Sequence, residues 1–476
     1  MAKKYYITAA IPYVNAKPHI GHALEFIQTD VVARYYRLMG DEVLVLSGGD
    51  ENALKNVQAA EAAGIPVQEF VDRNTQLFYE LTKGLNTQFD VWQKGSDQRH
   101  YRASQKLWSL CDKSGDIYKK KYKGLYCVGC EAFYAPDELS EAGECFEHPG
   151  KKLDEVEEEN YFFRLSKYQA QILELIESDR LKIVSPVRKN EVIAFVKSGL
   201  RDLSVSRSNE RAKNWGVPVP GDPTQRIYVW FDALNIYQTG VGFGWNEERY
   251  QKWWPAEAQV IGKGIIRFHA VYWPAFLLSA GLPLPKSLFV HEYFTVNGQK
   301  MSKTVGNVYD PIPLLEKLGA DPLRYYCLAK ISPFADGDFS EDKFYVAYNA
   351  DLANGLGNLV ARIAALAERA SEFSVISLQF TDKEFEELRQ ILETYRFDEA
   401  MKLIWSWIAE LDRQINDKKP WTLSGPDLFE TLTPWVKQIN KLGVALQPFL
   451  PETAEKIIKQ FQGPKIKSQA PLFPRL

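Results

Sequence analysis

A chain of 476 residues exceeds one ordinary domain and points to about two to four. Apolar residues make up 45% and charged residues 25%, and no uncharged apolar run reaches transmembrane length, so a disordered chain and a membrane-spanning one are both excluded. A net charge of -3 excludes a global basic field, which leaves polyanion binding to a local face, and five cysteines are too few for a disulfide framework.

The opening MAKKYYITAAIPYVN lacks a long apolar core and a small-residue cleavage site, so it reads as no signal peptide and a cytoplasmic location is expected. YYITAAI reads as a short strand, followed by a loop, a helix from about Pro18 to Met39, and a second strand, DEVLVLSGGD. Strand, helix, strand with short connections predicts a crossover in a parallel sheet, whose ligands bind at the carboxyl ends of the strands. The loop into PHIGH leaves one such end; Gly48, Gly49 and Asp50 leave another. His19 and His22, three apart near a helix start, lie beside the backbone donors and positive dipole end of that helix and together predict an anion site. Pro18 suits a helix start, and Gly21 clears a side chain from the backbone. Two ordinary surface histidines would account for PHIGH taken alone.

Near Gly115 the pattern changes. From there to about Arg188 the chain is rich in Lys, Glu and Tyr and reads as an insertion rather than sheet. CVGC and CFEH within it supply Cys127, Cys130, Cys145 and His148, two pairs that can each form one side of a tetrahedron. Four protein ligands leave no open position, so a structural zinc is expected. Cys111 and Cys327 read as small core residues. The strand pattern returns with RIYVWFDAL and AQVIGKGIIRFHA. KMSKT, residues 300–304, follows a turn, VNGQ, and its Lys300 and Lys303 suggest a second clamp on the same anion. From about Ala347 no strand candidate remains, and stretches such as EELRQILETYRFDEAMKLIWSWIAELDRQIND predict a helical bundle. The expected fold class is α/β: a Rossmann-like parallel sheet split by a zinc-binding insertion and followed by an α-helical bundle.

PHIGH and KMSKT, in this order and far apart, resemble the HIGH and KMSKS motifs of class I aminoacyl-tRNA synthetases. IPYVNAKPHIGHALEF, VWFDALNIY, IGKGIIRFHAVYWPA and VNGQKMSKTVGNVYDP resemble the methionyl-tRNA synthetase family over essentially the whole chain. The resemblance implies a split catalytic domain (1–115 and 189–290), a connective insertion with a zinc knuckle that helps place the tRNA acceptor end (116–188), a stem-contact region carrying KMSKT (291–346) and an anticodon-binding bundle (347–476). It implies a methionine-tRNA ligase that forms methionyl-adenylate from L-methionine and ATP with Mg2+, then charges tRNA(Met). His19, His22, Lys300 and Lys303 would be catalytic, with Gly21, His22 and Lys303 at ATP. Ile11, Tyr13, Trp230, Ala233, Leu234, Tyr237, Ile265 and His269 would line the methionine slot, with Asp50 at the amino group. Asn358, Arg362 and Trp421 would read the anticodon.

Three positions depart from patterns common in that family: Gly264 where aspartate is usual, Asn52 where histidine is frequent, and Thr304 in place of serine. Isoleucyl, valyl and leucyl relatives are disfavoured by the short insertion, and a cysteinyl relative by the absence of cysteine beside PHIGH. An inactive tRNA-binding paralogue is the alternative. No appended dimerisation domain follows PLFPRL, so a monomer is expected.

Overall fold

The first two strands read as nearly continuous apolar runs, the pattern of strands covered on both faces. The computed structural model describes residues 2–127, 132–134, 139–145, 150, 153–301, 306–370, 372–374 and 376–476. Six parallel strands form its main sheet: β1 (Lys4–Ala9), β2 (Glu42–Gly49), β3 (Val91–Lys94), β4 (Lys182–Ile183), β5 (Ala258–Gly262) and β6 (Ser287–His291), in the order β3-β2-β1-β5-β6-β4. Thr8 of β1 pairs with Leu46 of β2 on one side and with Gln259 of β5 on the other. The chain runs outward from β1 in one direction and later returns to fill the opposite side, so the order reverses between β1 and β5. That is where parallel sheets open a crevice at their carboxyl ends.

Helix α1 (Ile20–Leu38) connects β1 to β2 and packs Leu24, Ile27 and Val31 into the core. Helices α2 (Val67–Gly84) and α3 (Gln98–Lys113) follow, the latter capped by the Asp97 carboxylate accepting from the Arg99 amide. Two sequence expectations change here. RIYVWFDAL is not one strand: Asp222–Ile227 belongs to a small antiparallel sheet, and Val229–Ala233 is a helical turn, α4. Trp230, Phe231, Ala233 and Leu234 are all buried around that turn, and an apolar run buried on every side carries no period to tell helix from strand. AQVIGKGIIRFHA stops being strand at Gly262 and turns helical from Lys263.

The insertion also differs from expectation, because it does contain sheet. Ile117–Cys127 pairs with Asp154–Phe163, flanked by Ala132–Tyr134 and Leu203–Ser204. Lys121 stands opposite Glu159 and Lys123 opposite Glu157, so opposite charges replace the apolar alternation that would have marked these strands. β4, from the same segment, closes one edge of the main sheet.

Beyond residue 347 the described residues form helices and their connections with no strand, α6 (Asn358–Ala367), α7 (Phe397–Lys418), α8 (Gly425–Leu446) and α9 (Pro451–Phe461) following α5 (Ala320–Ala329). The joint between this helical body and the sheet is polar. Arg324 of α5 is fully buried, 2.8 Å from the Asp30 carboxylate of α1, and donates to the backbone carbonyls of Leu85, Pro448 and Phe449. Cys111 and Cys327 are buried, and burial pushes the Cys111 thiol up to about 12. Among the described residues no helix is long and apolar enough to cross a membrane.

Candidate active site

A cavity of about 370 Å³ opens at the crevice between β1 and β5. Residues following β1 (Ile11, Tyr13), residues following β5 (Ile265) and the end of β6 (His291) line it together with the start of α1.

His19 is the N-cap of α1 rather than a residue within it; its backbone is extended, and the helix begins at Ile20. The His19 Nδ1 accepts from the Gly21 amide at 3.1 Å, and the His22 Nδ1 accepts from the His19 amide at 3.1 Å. This reciprocal cap corrects the expected arrangement: the rings occupy the backbone donors instead of lying beside them. In a neutral imidazole, an accepting Nδ1 places the ring hydrogen on Nε2. Both rings thus carry their hydrogen on Nε2, and they stack with centroids 3.8 Å apart at the cavity wall. His22 meets the ring of Phe78 edge-on. Gly21 keeps the cap uncrowded, since a Cβ there would stand 3.0 Å from the His19 ring and push on it.

The slot residues divide into two layers. Ile11, Tyr13, Trp230 and Ile265 line the cavity; Ala233, Leu234, Tyr237 and His269 are buried behind it. Tyr13 and Trp230 meet edge-on at 5.9 Å, and Trp230 stacks on Phe268 at 3.7 Å. The His269 Nδ1 is 3.0 Å from the Ile265 carbonyl, so it donates there, and its Nε2 accepts from the Tyr237 hydroxyl at 2.8 Å. Burial holds the His269 imidazole down to about 4 and raises the Tyr237 phenol, so this pair stays neutral near neutral pH. Asp50, buried at the end of β2, bridges its backbone to Tyr13.

The two sequence motifs converge. Met301 lines the cavity, its methyl 3.3 Å from where a Gly21 Cβ would stand, and the Ile20 amide donates to the Tyr309 carbonyl at 3.0 Å. Lys300 continues the short strand Gln299–Lys300, paired with Thr295. Lys303 and Thr304 lie outside the described residues. The sequence reading missed Glu25, His291 and Tyr293. The Glu25 carboxylate accepts from the Ala10 amide at 2.8 Å and meets the His291 Nε2 at 3.0 Å, so it ties the end of β1 to the end of β6. Glu25 follows His22 by three on α1, a helical spacing that could have revealed it; His291 and Tyr293 are distant in sequence and carry no local signal.

Comparison with known proteins agrees with this geometry. The family described as "tRNA synthetases class I (M)" matches residues 5–364. The chain is similar to the methionine-tRNA ligase of Brucella melitensis, 41% identical over 98% of this chain and 93% of that one. It is also similar to the enzyme of that name from Thermotoga maritima, 40% identical over 96% and 75% respectively. Among solved structures, the Mycobacterium tuberculosis methionyl-tRNA synthetase in complex with methionyl-adenylate superposes with a TM-score of 0.91 at 36% identity, covering 99% of this chain and 100% of that one. The chain belongs to the class I methionyl-tRNA synthetases.

Two departures from the synthetase pattern now have local explanations. The Gly264 amide donates to the Tyr293 hydroxyl at 2.7 Å, so the turn lacking a carboxylate is held by a phenol that follows the neighbouring strand β6. The Asn52 amide donates to the Asp232 carboxylate at 2.6 Å and to the Gly95 carbonyl at 2.9 Å. Farther from the cavity, the Sγ atoms of Cys127 and Cys145 are both buried and 3.4 Å apart. Cys130 and His148 lie outside the described residues; among the described ones no group of three potential ligands is placed to hold a metal ion. Asn358 is exposed at the start of α6, while Arg362, one turn on, reaches Asp412 and Asn416 on α7 at 3.2 Å each. Trp421, just past the end of α7, is 51% exposed, uncommon for so large an apolar ring.

Proposed function

We propose that the chain activates L-methionine with ATP and transfers it to the 3'-terminal adenosine of tRNA(Met). The observation that carries this reading is the meeting of the PHIGH helix start and Met301 of the lysine motif over one cavity at the switch point of the sheet. Its chemistry needs no protein nucleophile. The methionine carboxylate attacks the α-phosphorus, pyrophosphate leaves with its Mg2+, and negative charge grows on phosphate oxygens. The protein supplies position and donors: the Nε2–H groups of His19 and His22, with Lys300 and Lys303 assigned to the same phosphates and Gly21 leaving room.

Ile11, Tyr13, Trp230 and Ile265 form the walls for the methionine side chain, with Ala233, Leu234, Tyr237 and His269 as support, and Asp50 receives the ammonium group. The neutral Tyr237–His269 pair suits a thioether, because a charged histidine beneath the slot would demand hydration. Cys127, Cys130, Cys145 and His148 would hold a zinc ion whose role is to fix the insertion against the tRNA acceptor end. The 3.4 Å between the sulfurs of Cys127 and Cys145 fits one edge of a thiolate tetrahedron, about 3.8 Å at a Zn–S distance of about 2.3 Å. Asn358, Arg362 and Trp421 are assigned to the anticodon, residues 347–476 to its binding domain, 291–346 to the stem contact, and the chain to a cytoplasmic monomer.

Methionine-dependent exchange of labelled pyrophosphate into ATP, without tRNA, tests the reading. Exchange is expected with methionine well above leucine, isoleucine, cysteine or homocysteine, from protein carrying zinc by elemental analysis. Folded protein that exchanges with none of them would overturn it in favour of the inactive paralogue. The bundle is tested separately. Trp421→Ala is expected to lower kcat/KM for tRNA(Met) charging roughly 5- to 150-fold, the worth of one stacked base, with exchange unchanged. A loss in exchange of the same size would remove Trp421 from the anticodon.

A further inference from the structure

Asp232 is buried two residues after Trp230 on α4. At that spacing the two side chains leave opposite sides of the same turn, Trp230 toward the cavity and Asp232 toward α3. The Asp232 carboxylate gathers three donors from two other elements. Its Oδ1 accepts from the Ser104 hydroxyl at 2.6 Å and lies 2.9 Å from the His100 Nε2; its Oδ2 accepts from the Asn52 amide at 2.6 Å. His100 is fully buried, and its other ring nitrogen lies 2.9 Å from the Thr239 hydroxyl. Asn52 sits two residues after Asp50. One carboxylate thus joins both sides of the methionine site, the end of β2 that carries Asp50 and the turn that carries Trp230, to the rigid helix α3.

We infer that His100 is a positioning residue for methionine recognition, setting through Asp232 how far Trp230 leans into the slot. The inference rests on the methionine slot proposed above. His100 touches neither the cavity nor any substrate group; it acts through the carboxylate. A buried carboxylate that loses one of its donors is left undersolvated and moves to recover the contact, and Trp230, two residues away on the same short turn, moves with it.

The test is the KM for methionine and for ATP in pyrophosphate exchange, with thermal unfolding recorded for each protein. His100→Phe keeps the ring volume and removes the donor; it is expected to raise KM for methionine about tenfold or more and to leave KM for ATP within about twofold. His100→Gln returns a donor near the Nε2 position and is expected to fall within about threefold of the wild type. Equal effects of the Phe and Gln variants, or a parallel rise of both KM values, overturn the inference. If His100→Phe does not fold, Ser104→Ala decides, since it removes the companion donor from the same oxygen: a rise in KM for methionine alone supports the clamp and an unchanged KM overturns it. Trp230→Ala separates the two readings. A raised KM there with an unmoved His100→Phe defeats only the clamp; an unmoved Trp230→Ala defeats the slot and the clamp with it.

Discussion

Replacing His19 by asparagine is expected to slow methionyl-adenylate formation by about 10²–10³-fold while changing folding stability by only about 0.5 kcal/mol. Asparagine is a strong N-cap, and its side-chain oxygen can accept from the Gly21 amide as the His19 Nδ1 does. What it cannot reproduce is the Nε2–H edge on a ring at the cavity wall. The substitution therefore separates the two tasks of one side chain, starting the helix and donating to phosphate. Single-turnover adenylate formation and thermal unfolding read them independently. A rate within about threefold of the wild type would make His19 a cap and nothing more.

Arg324→Met is expected to destabilise the protein by about 3–5 kcal/mol, the cost of breaking a buried ion pair and stranding the carbonyls around it, with Arg34 left as the one cation on Asp30. The guanidinium is fully buried and serves four acceptors: the Asp30 carboxylate and the carbonyls of Leu85, Pro448 and Phe449. Met fills the volume but abandons all of them. Adding Asp30→Asn should deepen the loss rather than relieve it, because Arg34, 2.7 Å from the same carboxylate, then loses its own partner. Chemical unfolding of the two variants checks this; a single-variant loss below about 1 kcal/mol would mean that water reaches the joint. Burial itself depresses the affinity of the guanidinium for its proton, which the Asp30 charge opposes, so the pair holds its ionised form by mutual contact.

The sheet was legible where sequence pattern and environment agree. YYITA and EVLVLSG are apolar on both faces because both faces are covered, and AQVIG ends at the glycine where the crevice begins. VWFDA was not legible, since Trp230, Phe231 and Ala233 are buried all round a single turn and leave no period. The paired strands of the insertion were hidden for the opposite reason, since facing lysines and glutamates look like solvated loop. The site was readable as motifs and residue types, while the partners of each side chain were not. That His19 and His22 cap each other through Nδ1, and that Glu25 reaches His291, depend on ring orientation and on contacts between distant segments. The contact of the Gly264 amide with the Tyr293 hydroxyl is likewise invisible until the two turns are seen together.

The pairing of β1 with β5 and of Asp30 with Arg324 also sets an order of events on the ribosome. Once β2 has emerged, β1 has β2 beside it and an open edge on the other side, and Asp30 has Arg34 of its own helix but not yet Arg324. The open edge cannot be repaired locally and waits for residues 258–262, and the joint to the helical body waits for residue 324. The amino-terminal half therefore leaves the exit tunnel as a segment that cannot close by itself, with an exposed strand edge of the kind that invites wrong pairing. A nascent chain stalled before residue 258 should be protease-sensitive throughout, and protection should arrive in one late step.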